Sequence, residues 1–155
     1  MHGPLTRKSS RMSLDREYAV DMLQGNAQTQ EFGQVTGKRV LIVEDEVLIT
    51  TLIVDVLEDR GVIVVGPAAT LGHALELARN EPLDAAVLDV NLGTDTSFPV
   101  ARLLRERQIP FFYTTAFANK VHPDIGDAAF LAKPYGIRQL LHTLESVLSI
   151  NDKPG

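Results

Sequence analysis

The stretch Arg39–Glu46, RVLIVEDE, decides how this chain is read. Val40 to Val43 form an unbroken apolar run. It is too short for a helix and does not alternate, as expected of a strand covered on both faces. The run leads straight into Glu44, Asp45 and Glu46. Three adjacent carboxylates repel one another, so a chain that stacks them at the end of a buried strand needs a cation there. A hard divalent ion such as Mg2+, which takes oxygen ligands, would answer that need, with Asp89 supplying the other half of the site.

Downstream of this stretch, apolar runs alternate with amphipathic ones. Val47–Asp59 carries Leu48, Thr51, Leu52 and Val56 at helical spacing and is followed by Gly61, a C-cap residue. Val62–Val65 predicts a second strand, ended by Gly66-Pro67. Thr70 caps a helix from Leu71 to about Asn80, which Pro82 stops. Leu83–Asp89 reads as a third strand, Pro99–Arg107 as a helix with proline in its first turn, Ile109–Thr115 as a fourth strand and Phe130–Ala132 as a fifth. The closing helix, Ile137–Ser149, buries Leu140, Leu141, Leu144, Val147 and Leu148. This order predicts an α/β fold, a parallel sheet with helices on both faces and right-handed crossovers. Ligands of such sheets bind beyond the carboxyl ends of the strands. Those ends carry Glu44–Glu46, Asp89, Thr114–Thr115 and Lys133.

Composition narrows the function. The chain has no cysteine, which excludes disulfide scaffolds, thiolate metal sites and cysteine nucleophiles. Residues 1–37 and 151–155 each sum to zero charge, so the net charge of −5 lies wholly within 38–150. That argues against direct nucleic-acid binding, which wants a basic face. No stretch approaches the ~20 apolar residues of a membrane span, and the basic N-terminus lacks the apolar core of a secretory signal. A cytoplasmic protein is expected. Residues 1–37 read as a polar extension and linker, with a short helix from about Ser13 to Leu23 presenting Leu14, Tyr18 and Met22. Residues 38–150 read as one domain and 151–155 as a tail.

The acids of VEDE (43–46), the aspartate of LDVNL (88–92), the Thr-Ala of TTA (114–116) and the Lys-Pro of AKPY (132–135) occur in one order at four strand ends. Together they resemble the receiver domain of two-component response regulators, over residues 38–150. GPAATL (66–71) and LDVNLG (88–93) are similar to receivers found as single domains or attached to sensor kinases. The resemblance implies a CheY-like, flavodoxin-like doubly wound sheet of five strands in the order 2-1-3-4-5. It implies Asp89 as phosphoacceptor. Mg2+ would be held by Asp45, Asp89 and the main-chain carbonyl of Asn91, with Glu44 acting through water. Lys133 would pair with Asp89 at rest and with a phosphoryl oxygen afterwards. Thr115 would donate its hydroxyl to the phosphoryl group, and Phe130 stands at the position of a switching aromatic. A sensor histidine kinase or phosphotransfer protein would donate the phosphoryl group and a downstream protein would receive the signal, with homodimerisation left open. The chain would be a signalling module rather than an enzyme.

Three departures modify that picture. The interval from Thr115 to Lys133 is short and contains His122-Pro123, so the family's fourth helix should be missing or reduced to a turn. Phe117 places an aromatic in the same interval. Gly93 replaces the usual proline after the third strand, which should loosen that loop.

Plainer readings compete at individual residues. Glu46 reads better as a helix-start acid than as a ligand, Glu44 could be a solvated rim charge, and Lys133 could be an ordinary surface lysine. Thr114 competes with Thr115, since only one of two neighbours on a strand faces the site. His2, His73, His122 and His142 lack metal-ligand spacing and read as surface residues. Other functions fit less well. A phosphohydrolase of the aspartyl-phosphate type would want a carboxylate where Asn91 stands. A nucleotide- or flavin-binding domain would want a glycine- or hydroxyl-rich loop after the first strand. A pseudo-receiver acting only as a scaffold would not need the full set of chemical residues this chain retains.

Overall fold

In the computed structural model, which describes residues 33–116 and 123–152, β1 (Arg39–Val43) is an interior strand of the sheet and buries everything from Val40 to Val43. Period-two alternation divides these side chains between two cores. Val40 and Ile42 join Val87, Phe112 and the apolar faces of α1 (Val47–Asp59) and α4 (Ile137–Asp152). Leu41 and Val43 join Leu88, Tyr113 and the faces of α2 (Leu71–Asn80) and α3 (Phe98–Glu106). A strand with an apolar partner on each side has no polar positions, which is why RVLIV lacks alternation.

The remaining strands are β2 (Ile63–Ala68), β3 (Ala85–Asp89), β4 (Asn91–Leu92), β5 (Asp95–Thr96), β6 (Phe111–Thr115) and β7 (Phe130–Ala132). The main sheet is ordered β2-β1-β3-β6-β7 and every pairing in it is parallel. Counting only its five strands along the chain, this is the expected order 2-1-3-4-5. The order reverses between β1 and β3, so Glu44 and Asp89 emerge side by side at the switch point. Between β6 and β7 the described residues hold one 3-10 turn, Pro123–Ile125, where the family has its fourth helix.

Three sequence expectations need correction. β2 does not stop at Val65 but runs through Gly66-Pro67 to Ala68. Its register against β1 shifts between Leu41↔Val65 and Val43↔Ala68, so Gly66 and Pro67 form a bulge opposite Ile42 rather than an end. The loop after β3 is not loose: Asn91–Thr96 folds into a small antiparallel hairpin turning on Gly93 at φ +65°. The buried stripe of α1 is Ile53, Val56 and Leu57, whereas Leu48 is 81% and Leu52 42% exposed. VLITTLIVDVL is apolar nearly all round, so i, i+4 spacing permits several faces and only the sheet selects one. The stripe of α4 is buried as read. The Ser13–Leu23 helix lies outside the described residues.

Gly66 is the position where the bulge allows no side chain. Its φ is +95°, and a Cβ there would lie 2.9 Å from the Ala68 amide nitrogen and 3.2 Å from the Ile42 carbonyl oxygen. Gly66→Ala should lower unfolding stability by about 2 kcal/mol or more, read as a drop in the urea midpoint. Gly72→Ala, on α2 with nothing within 4 Å, should leave stability unchanged or raise it slightly.

Candidate phosphoacceptor and metal site

The chain stays extended for a few residues past β1, and the N-cap residue of α1, Glu46, has φ −89° and ψ 113°. Alternation therefore continues beyond the strand: Glu44 and Glu46 turn to one side and Asp45 to the other. Glu44, Glu46 and Asp89 each present a carboxylate oxygen within 4.8 Å of the others. Lys133, just past β7, sits among them. Its Nζ donates to Glu44 Oε1 at 3.1 Å, to Asp89 Oδ2 at 3.1 Å and to Glu46 Oε1 at 3.4 Å. The lysine is positioned from β6, because its amide nitrogen donates to the Thr115 carbonyl at 2.8 Å.

Two of the plainer readings fall here. Glu44 is not a solvated rim charge, since it is 3% exposed. Lys133 is not an ordinary surface lysine, since its side chain is 12% exposed and touches three acids. Glu46 occupies the N-cap position of α1 but makes no capping bond, and its carboxylate turns to Lys133. Sequence reasoning preferred a helix-start role for it; the available signal was its i, i+2 spacing from Glu44 on a backbone still extended.

The other expected residues are distributed around this cluster. Asp45 is exposed and outside the three-acid group; its Oδ2 accepts from the Gly93 amide at 3.0 Å, which ties the β1–α1 loop to the β4–β5 hairpin. Asn91 opens that hairpin two residues after Asp89. Thr114 and Thr115 are both buried at the end of β6. Thr114 is in register with Asp89, and its hydroxyl is buried with no protein partner; Thr115 lies one residue nearer the rim. Phe130, on edge strand β7, is 41% exposed. His73 and His142 are exposed, as read, while His2 and His122 lie outside the described residues.

Electrostatics couples these groups. Burial, then the neighbouring Asp89 charge and the contact with that carboxyl, raise Glu44 from 4.5 to about 7; the Glu46 amide and Lys133 only partly offset this. Burial alone would depress Lys133, but Asp89 and Glu44 outweigh it and raise the ammonium above its ordinary value. An all-oxygen set of three clustered carboxylates suits Mg2+ chemically.

A folded state that holds the Glu44 proton up to about pH 7, against 4.5 when unfolded, binds more protons between those values. In metal-free buffer, stability should therefore fall as pH rises from about 4.5 to about 7. Glu44→Gln should remove that slope, a change on the order of 3 kcal/mol across the window in chemical denaturation.

Comparison with known proteins fits this geometry. Residues 40–145 match the family model of the response regulator receiver domain. The transcriptional regulatory protein PdtaR of Mycobacterium tuberculosis is 32% identical over 117 residues, which are 72% of this chain and 57% of that protein; the chain thus spans little more than half of this relative. The solution structure of SdrG from Sphingomonas melonis Fr1 is 37% identical, with a TM-score of 0.64 over 72% of this chain and 96% of that one. The receiver domain of sensor histidine kinase PA1611 from Pseudomonas aeruginosa PAO1, solved with a magnesium ion in its active-site cleft, is 25% identical, with a TM-score of 0.66 over 74% and 99% of the two chains. No helix among the described residues is long and apolar enough to cross a membrane. With its strand order, its acidic switch point and this match, the chain belongs to the response regulator receiver family.

Proposed function

We propose that this chain accepts a phosphoryl group on Asp89, with Mg2+ bound, from a phosphohistidine on a sensor kinase or phosphotransfer protein, and so switches its contacts with another protein. The observation that carries this reading is the position of the Asp89 carboxylate: buried at the switch point, clustered with two further acids and held by Lys133 at 3.1 Å. An Asp89 oxygen attacks phosphorus, the P–N bond to the donor imidazole breaks, and a P–O bond forms. When bound, Mg2+ offsets the negative charge that gathers on the phosphoryl oxygens. Asp89, Glu44 and Glu46 are the clustered carboxylates able to hold the ion. Asp45 and the Asn91 carbonyl are the remaining candidates by family resemblance, and one Asp45 oxygen, Oδ2, already accepts from the Gly93 amide.

Lys133 offsets part of the cluster's charge at rest and would follow the charge onto a phosphoryl oxygen. Thr115 is assigned the hydroxyl that binds the phosphoryl group. It ends β6, and its carbonyl holds the Lys133 backbone, so a pull on one residue reaches the other. Switching then consists of a local charge change that biases the β6–β7 region. Phe130 lacks a hydroxyl, so any readout there comes from how its exposed ring packs.

Incubation with Mg2+ and a small phosphodonor should add one phosphoryl group to the wild-type chain by intact mass and none to Asp89→Ala. Catalytic turnover of a phosphomonoester would favour a hydrolase instead, and no uptake in the wild type would favour a scaffold. Thr115→Val should retain phosphorylation but lose most of the accompanying change in amide spectra around β6 and β7, while Thr114→Val should keep it; the reverse result would transfer the role to Thr114.

A further inference from the structure

Thr114 carries a hydroxyl that the resting site leaves unused. The residue is 1% exposed, and its Oγ1 has no hydrogen-bond partner among the described residues. Burying a hydroxyl without a partner costs free energy that valine, of nearly the same shape, avoids.

The sheet fixes what this hydroxyl faces. Phe112 on β6, Val87 on β3 and Ile42 on β1 all point into the core beneath α1 and α4. Two residues further along each chain segment, alternation brings Thr114, Asp89 and Glu44 to that same face. Thr114 and Asp89 are register partners on neighbouring strands. Side chains so placed stand about 5 Å apart, within the combined reach of a hydroxyl and a carboxylate. Leu131, level with Thr114 on β7, packs on this core as well, and Lys133 follows it by two residues. Because β6 lies between β7 and β3, the lysine side chain crosses the end of β6 to reach Asp89 Oδ2 at 3.1 Å. Thr115 points the other way, as Tyr113 does, toward the core beneath α2 and α3. The two adjacent threonines therefore serve different places at the end of β6.

In the resting site the Lys133 ammonium holds Asp89 and also bonds Glu44 and Glu46. When Lys133 follows the charge onto a phosphoryl oxygen, the carbonyl oxygen left on Asp89 loses that donor, at a residue only 5% exposed. The Thr114 hydroxyl is a buried donor in register with it, on the same face and unengaged. We propose that Thr114 takes over Asp89 when Lys133 departs: its hydroxyl donates to the carbonyl oxygen of the aspartyl phosphate and so sets how fast the phosphoryl group is lost. This role rests on Asp89 being the phosphoacceptor and is distinct from the one assigned to Thr115. In hydrolysis a water oxygen bonds to phosphorus, the P–O bond to Asp89 breaks with its electron pair going to the carboxylate, and both water protons leave with the phosphate. Negative charge returns to Asp89 as that bond breaks and is shared by its two oxygens. A hydrogen bond to the carbonyl oxygen is therefore stronger in the transition state than in the acyl phosphate, and it speeds the loss.

The wild-type chain, Thr114→Val and Thr114→Ser are each phosphorylated with Mg2+ and a small phosphodonor, the donor is removed, and the phosphorylated fraction is followed by intact mass. Thr114→Val should lengthen the half-life roughly tenfold, as expected for one hydrogen bond to a group gaining charge. Thr114→Ser, which keeps the hydroxyl, should return it close to the wild-type value. Equal half-lives for wild type and Thr114→Val would overturn the proposal. A long-lived Thr114→Ser would overturn it too, since the methyl group and not the hydroxyl would then matter. Urea unfolding reads the same contact without a phosphodonor. In the wild-type background Thr114→Val should leave the urea midpoint unchanged or raise it, because the hydroxyl it removes is unpaired. In Lys133→Met, where Asp89 has lost its ammonium, the same change should lower the midpoint. A shift of the same sign in both backgrounds speaks against any bond from Thr114 to Asp89. Absence of phosphoryl uptake by the wild-type chain would count instead against Asp89 as phosphoacceptor, and the urea comparison would still decide the contact.

Discussion

One ammonium among three carboxylates organises the rim of this molecule. Without Lys133, Glu44 and Asp89 would be buried acids facing each other across the gap between β1 and β3, with Glu46 adding a third charge. Removing one partner from a buried ionic cluster is strongly destabilising, because the charges left behind are neither solvated nor paired. The lysine compensates the acids from a strand that is not their neighbour: β3 and β6 stand between β1 and β7, and the register of β7 on β6 brings Ala132 level with Thr115. The ionic cluster therefore joins the two halves of the sheet where the strand order reverses. A second cation entering the cluster, or a new anion attached to it, changes the charge balance of every member at once.

Much of the fold could be read from the chain because the evidence was redundant. RVLIV, AAVLD and FFYTT are apolar runs of strand length, Gly61 separates α1 from β2 and Pro82 separates α2 from β3, and the stripe of α4 admits one orientation only. The misreadings arose where local pattern permits more than one outcome. α1 is apolar on almost every side, so which stripe it buries is decided by β1 and β3 rather than by its own sequence. Gly66-Pro67 looks like a stop signal, yet a bulge uses the same residues, and only the neighbouring strand distinguishes the two. Gly93 appeared to loosen a loop that it in fact allows to turn tightly.

The site was legible by residue type and less so by geometry. The acids, the threonines and the lysine could be assigned to strand ends from sequence. Which carboxylates converge depends on backbone direction just past β1, a matter of one residue's φ and ψ. With Glu46 extended, the pair at i and i+2 gathers around Lys133 and the acid between them turns toward the hairpin. Burial likewise depends on tertiary structure: nothing local marks Glu44 as enclosed, though its enclosure is what makes its proton hard to remove.

The bond from the Gly93 amide to Asp45 has an asymmetric genetic basis. Its acceptor is a side chain, which almost any codon change at position 45 would delete. Its donor belongs to the main chain and is supplied by every amino acid except proline. Variation at position 93 is filtered by whether the turn tolerates a left-handed φ, not by loss of the donor. The cross-tie between the two rim loops is therefore limited by backbone conformation on one side and by side-chain identity on the other.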